Sequence, residues 1–268
     1  MKKPPFSTII AFVLGATVLQ SARANLLLSD SFNSYANGNL VGQGNWSQTG
    51  SYATSPVQVN NGVVYLGNSG QDVYDPFNTP VTLADGQSLY FGLVINVSAA
   101  QGAGDYFMHF TANAGNSSQF YDRLFVQAAT GGYVLGLEGT AGGGATITYG
   151  TTVLSLNTSY NIVLAYNYSS LTPSNSVDAV YVNPTDPSVA NNTAYLSAAW
   201  GSANPDTNQI GAVNFRQGST SSAPTLTVDN LTVSTQFSDV ATAAPEPSTL
   251  ALMGLGGLAG LFAWRRKR

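Results

Sequence analysis

Cysteine is absent from the 268 residues, histidine occurs once, and nearly all the lysine and arginine is confined to the two ends. Without cysteine there is no disulfide framework, no thiolate zinc site and no thiol nucleophile. A sole histidine, His109, excludes a histidine-rich metal centre, and no G-x-S-x-G elbow marks a serine nucleophile. Between residues 25 and 244 the only cations are Arg123 and Arg216, against twelve acids, for a formal charge of −10. Two separated arginines cannot neutralise a run of phosphates, so nucleic acid is excluded as a partner. Glutamate is scarce too. Glu138 is alone in that stretch, so two-carboxyl glycoside chemistry would need an aspartate pair assembled by the fold.

The cations at the ends have positional roles. Lys2 and Lys3 precede an apolar run from Ile9 to Leu19, and Ala22-Arg23-Ala24 supplies a small-x-small site. This order reads as a secretory signal peptide over residues 1–24, exported through the Sec translocon and cut by signal peptidase beside Ala22 and Ala24. The chain closes on Pro245-Glu246-Pro247, an apolar stretch, and then Arg265-Arg266-Lys267-Arg268. The stretch at 249–264 is short for a bilayer core and interrupted by glycines, so it predicts a weak membrane anchor. The basic cluster holds its far end in the cytoplasm and leaves the body outside.

Those three parts, in that order at a C-terminus, resemble the PEP-CTERM sorting signal, here residues 245–268. The resemblance implies processing by exosortase near Pro245-Glu246-Pro247 and an association with exopolysaccharide. An inner-membrane-anchored intermediate would then pass to the cell surface or extracellular matrix. Residues 237–244, rich in small side chains, read as a linker exposing that motif.

Between the ends, residues 25–236 show short runs of Val, Ile, Thr, Tyr and Phe separated by Gly, Asn, Ser and Asp. Leu89, Phe91, Leu93, Ile95 and Val97 alternate onto one face, as do Tyr160, Ile162, Leu164, Tyr166 and Tyr168. Thr225–Ser234 changes phase at Asp229-Asn230, where a bulge is expected. The pattern predicts an all-β domain, an antiparallel two-sheet jelly-roll sandwich. "DSFNSYANGNLVGQGNW" (30–46), "TLTVDNLTVS" (225–234) and "YNIVLAYNY" with "DAVYVNP" resemble concanavalin A-like, laminin G-type domains. That fold hosts lectins, adhesion modules and glycosidases alike.

Candidate sites are sparse. Asp72, Asp75 and Asn78 fall in one segment with the oxygen donors calcium prefers, and Asp105 is a further candidate ligand from a neighbouring loop. Turn-forming Asp and Asn also occur for purely local reasons. Trp46, Tyr52, Tyr74, Tyr121 and Trp200 are candidate sugar-stacking rings, or core aromatics. His109 alternates with Met108 and Phe110 and reads as a half-exposed strand residue. The expectation is a non-enzymatic glycan-binding or structural module without a catalytic residue, the alternative a polysaccharide-cleaving enzyme.

Overall fold

The computed structural model describes residues 26–50, 54–139, 146–170, 176–200 and 206–241. The expected signal peptide, the sorting motif, the anchor at 249–264 and Tyr52 lie outside the described residues. Among the described residues, no helix is long and apolar enough to cross a membrane.

Two antiparallel sheets pack face to face, as the alternation predicts. One runs in the order β14 (Leu196–Ala199), β13 (Val177–Val182), β12 (Ser159–Asn167), β7 (Ser88–Ala99), β16 (Thr225–Ser234), β5 (Val63–Leu66), β4 (Gln58–Asn60) and β2 (Gly38–Asn39). β1 (Leu26–Asp30) also pairs with β16. The other runs β11 (Thr148–Tyr149), β10 (Gly132–Glu138), β9 (Tyr121–Ala129), β8 (Asp105–Thr111), β15 (Gln209–Phe215), β6 (Asp72–Thr82) and β3 (Ser47–Thr49). First and last strands lie side by side.

The core is the space between the sheets. Leu89, Phe91, Leu93, Ile95 and Val97 of β7 are all fully buried there. Phe91 stacks across the interface on Phe110 of β8, ring centroids 3.6 Å apart. In β16 the register against β7 slips between Asp229 and Thr232, with Asn230 at φ 53°. That bulge lets Leu226 and Val228, then Leu231 and Val233, all reach the core despite their different parities.

Residues 237–244 do not begin as a linker. Phe237–Ala241 forms α1, which lies on the outer face of the nine-stranded sheet. Phe237 packs edge-on against Tyr90 and Tyr181, and Val240 is buried over Gly92. The Ser234 hydroxyl donates to Asp239 (2.6 Å), and Asn161 donates to the Ala241 carbonyl. Here two apolar residues in a small-residue segment are enough. They cap a sheet face whose own residues, Val163 and Ala165, are apolar on that side as well.

Candidate functional site

The segment expected to be a calcium loop is strand β6. Along it Val73, Asp75 and Phe77 turn inward, while Asp72, Tyr74 and Pro76 face outward. Strand geometry puts residues three apart on opposite faces, so Asp72 and Asp75 cannot share an ion. Asp72 and Asp105 do come together, but around a cation already present. Arg216 Nη1 donates to Asp105 (2.7 Å), its Nε lies 3.9 Å from Asp72, and the Gln217 N–H donates to Asp72. Burial pushes the Asp72 carboxyl up to about 6, against the lowering effect of Arg216.

Of the candidate rings, Trp46, Tyr121 and Trp200 belong to the core. Trp46 stacks on Phe215 at 5.0 Å, and Trp200 and Tyr121 are buried beside each other. Tyr74 is half-buried on the outer face of its sheet. His109 is 2% exposed rather than half-exposed, edge-on to Tyr106 and 4.4 Å from Phe120. Burial, then Arg216 and Arg123, hold its imidazole down at about 3, so it stays neutral. A strand residue's parity was legible, but which face would be covered was not.

Three polar constructions emerge that no short motif announces. The first is on the outer face of the seven-stranded sheet. There Arg123 and Arg216 both lie over the Tyr106 ring, 5.3 and 4.2 Å from its centroid. Arg123 is also 2.9 Å from Glu138, in a pair whose side chains are 10% and 4% exposed. Both cations of the described body are thereby neutralised. The second is between the sheets, where Asp122 and Asp178 meet, fully buried. The third joins Asp30 of β1 to Asp75 of β6 in a pocket at the sandwich edge.

A fourth feature is open to solvent. In the β4–β5 hairpin, turned at Asn61 and Gly62 (φ 51° and 76°), Tyr65 stands opposite Gln58. Tyr65 is 45% exposed, and among the described residues no other aromatic ring is as open. It borders a shallow depression of about 460 Å³ with Asn37, Gly38, Gln58, Val59 and Asn60. The lining holds amides, backbone and one ring, and no charged group. Tyr65 falls inside a run legible as strand, but its exposure comes from tertiary packing.

Among the described residues, no three His, Cys, Asp or Glu side chains converge to hold a metal.

Comparison with known proteins adds to this geometry. Residues 243–268 match the PEP-CTERM protein-sorting motif. The chain therefore carries that sorting signal, which marks an exported, cell-surface-associated protein processed by exosortase. No curated protein matches the chain by sequence. Among solved structures, a variant of alginate lyase Aly36B in complex with alginate trisaccharide is similar. It has TM-score 0.50 and 15% identity over 77% of this chain and 96% of that one. The CBM2 module of the Lactobacillus casei BL23 phage J-1 evolved Dit has TM-score 0.47 and 12% identity, over 79% and 96%. The receptor-binding domain of botulinum neurotoxin D has TM-score 0.49 and 10% identity, over 82% and 52%. Likeness at such identities defines the fold alone, a jelly-roll-like β-sandwich.

Proposed function

We propose that the exported body is a non-enzymatic surface module that binds a neutral glycan chain at the Tyr65 depression. The observation that carries this reading is the chemistry of the lining. An open phenol ring offers a face for the C–H side of a pyranose. The Asn60 amide offers donors and an acceptor to its hydroxyls, the Asn37 amide its N–H groups and the Gln58 amide its oxygen. The Asn37 Oδ1 already takes the Asn61 N–H, and the Gln58 Nε2 donates to Asn39 and Pro56. A shallow, open surface suits a chain that passes across rather than a small ligand that is engulfed. Acidic glycans are disfavoured, because each arginine of the described body already faces carboxylates.

The test is affinity electrophoresis of full-length protein through gels containing neutral polysaccharides. Parent protein should be retarded by at least one, and Tyr65→Ala should migrate as in a polymer-free gel. If parent and variant are retarded equally, the depression is not the site.

One observation favours a second reading, polysaccharide cleavage. Tyr106, His109, Arg123 and Arg216 share one sheet face, and a phenol, an imidazole and cations are groups that acid–base chemistry on a sugar uses. Against it, the imidazole is neutral and buried and both guanidiniums are paired. Release of new sugar ends from a panel of polysaccharides would establish it, with loss of that release in Tyr106→Phe assigning it to this face.

A further inference from the structure

The pocket at the edge of the sandwich has a chemistry that neither the fold nor the Tyr65 surface explains. Its walls come from both sheets: Asp30 and its neighbours from β1 and the following turn, Asp75 from β6, with Asn45 beside them. The cavity measures about 260 Å³. Asp30 is fixed in place by three donors. The Phe32 N–H reaches Oδ1 (2.8 Å), while the Tyr35 hydroxyl (2.7 Å) and the Trp46 indole N–H (2.9 Å) reach Oδ2. All three belong to the "DSFNSYANGNLVGQGNW" segment, so its fold aims one carboxylate at the pocket.

Asp75 is the reverse case. It is 3% exposed, on the inward face of β6 between Val73 and Phe77, and its Oδ1 meets no donor at all. A buried acceptor without a partner is costly, and two carboxylates facing one cavity repel each other. Burial and the Asp30 charge together push the Asp75 carboxyl up to about 7. A positive charge in the pocket removes both penalties at once. Two carboxylates are few for a transition metal, and there is no imidazole or thiolate in the lining. Hard cations accept such a set, completing it with amide and hydroxyl oxygens, backbone carbonyls and water.

We infer that Asp30 and Asp75 form a divalent-cation site of the oxygen-ligated kind, with calcium as the fitting ion and Asn45 and Ser29–Ser31 as further oxygen donors. The site joins β1 to β6, one strand from each sheet, so the ion clamps the edge of the sandwich. It replaces the pairing of Asp72 with Asp75 that sequence proximity suggested.

Terbium tests this directly, since it takes calcium's ligands and is excited by nearby indole, and the Trp46 N–H touches Asp30. Full-length protein stripped with chelator should give indole-sensitised terbium emission, displaced by added calcium. Asp75→Asn, which keeps the shape of the protonated carboxyl, should lower that emission by about tenfold or more, as expected from losing an anionic ligand. Asp72→Asn should leave it intact. Calcium should raise the melting temperature of the parent and not of Asp75→Asn, a readout that holds even where terbium sensitisation is weak. No emission and no calcium-dependent melting shift in the parent would overturn the inference. Equal emission from parent and Asp75→Asn would overturn it too.

Discussion

Asp122 of β9 and Asp178 of β13 bring their carboxyls together across the two sheets, both fully shielded from solvent. Asp178 accepts from the Asn167 N–H and the Trp200 indole N–H. Neither Asp122 oxygen has a donor except the proton that a protonated partner supplies. Asp206 and the Tyr166 phenol complete the surroundings, and Asp206 itself takes the Ser176 hydroxyl and the Ser169 N–H. Such a pair holds one proton between two oxygens, and that proton links the sheets. The position has a backbone cost, since Asp122 sits at φ 46°.

Burial raises both carboxyls, Asp122 well above its ordinary 3.8 and Asp178 to about 7. Unfolded, both would titrate near 3.8, so from there up to about 7 the folded chain binds more protons. These carboxyls therefore lower stability as pH rises through that window, while His109, held down at about 3 from its ordinary 6.5, acts in the opposite direction below 6.5. Asp72, raised to about 6, acts in the same direction as the pair, as does Asp75, raised to about 7, in protein stripped of divalent cations. Urea midpoints should decline from about pH 6.5 toward pH 8, where the imidazole is neutral in both states and the carboxyls act unopposed. Asp122→Asn, which supplies a donor at every pH, should flatten the decline and gain about 1–3 kcal/mol over the parent at the alkaline end. An Asp122→Asn variant with the same pH dependence as the parent would refute the shared proton.

The docked helix α1 depends on a residue without a side chain. A Cβ built on Gly92 would lie 2.8 Å from Val240 Cβ, and also close to the Val240 backbone. Gly92→Ala should therefore displace α1 and lower stability by about 1–3 kcal/mol, the usual cost of overpacking. Val240→Ala in the same background should recover little of the loss, because the new methyl meets the Val240 Cβ and backbone, which alanine keeps. Thermal melts of both variants decide this.

Strands were legible where alternation was strict, as in β7 and β12, because their apolar residues recur at period two. β6 was not, because Asp72, Asp75, Pro76 and Asn78 read as turn chemistry. The chain holds Pro76 in a strand opposite Ala212, where the register of β15 is already irregular. The Asp30–Asp75 and Asp122–Asp178 pairs join residues 45 and 56 positions apart from different sheets. No local pattern encodes such a meeting. Arg123, Arg216 and Glu138 stood out by their rarity alone, but that both arginines lie over Tyr106 is a property of the register between β8, β9 and β15.

The Arg123–Glu138 pair is almost dry, so its two members are worth more together than either is worth alone. Its guanidinium Nη2 lies near the carboxylate but off-line, which makes the contact one of charge more than of an aligned hydrogen bond. Glu138→Gln leaves a buried guanidinium without its counter-charge and should cost about 3–5 kcal/mol. The double replacement Arg123→Met with Glu138→Gln should cost clearly less than Glu138→Gln alone. A double-mutant cycle by urea denaturation measures the coupling, and purely additive costs would show that the pair does not act as a unit.

The sorting motif makes a separate prediction. Replacing Pro245-Glu246-Pro247 with alanines should leave the C-terminal segment attached in a host that contains exosortase. Mass measurement of the protein recovered from the membrane and from the medium would show it. Removal of the tail at parental efficiency would separate the motif from the processing. The body should be unaffected either way, since α1 ends at Ala241, before the motif begins.

Glycan binding at Tyr65 should be nearly blind to salt. The depression has no charged residue in its lining, so raising ionic strength screens nothing that the ligand touches. Retardation in neutral-polysaccharide gels should be the same at low and at about 0.5 M salt, where the Debye length is only a few ångströms. Tyr65→Phe should keep most of the retardation, because the ring face is retained, while Tyr65→Ala should lose it at a cost of about 1–2 kcal/mol. Removing divalent cations should act only indirectly, through the stability of the β1–β6 edge, and should leave the affinity of folded protein unchanged. Retardation by acidic polymers that disappears at high salt would place the ligand elsewhere, on a surface where Arg123 or Arg216 has exchanged its carboxylate for one on the sugar.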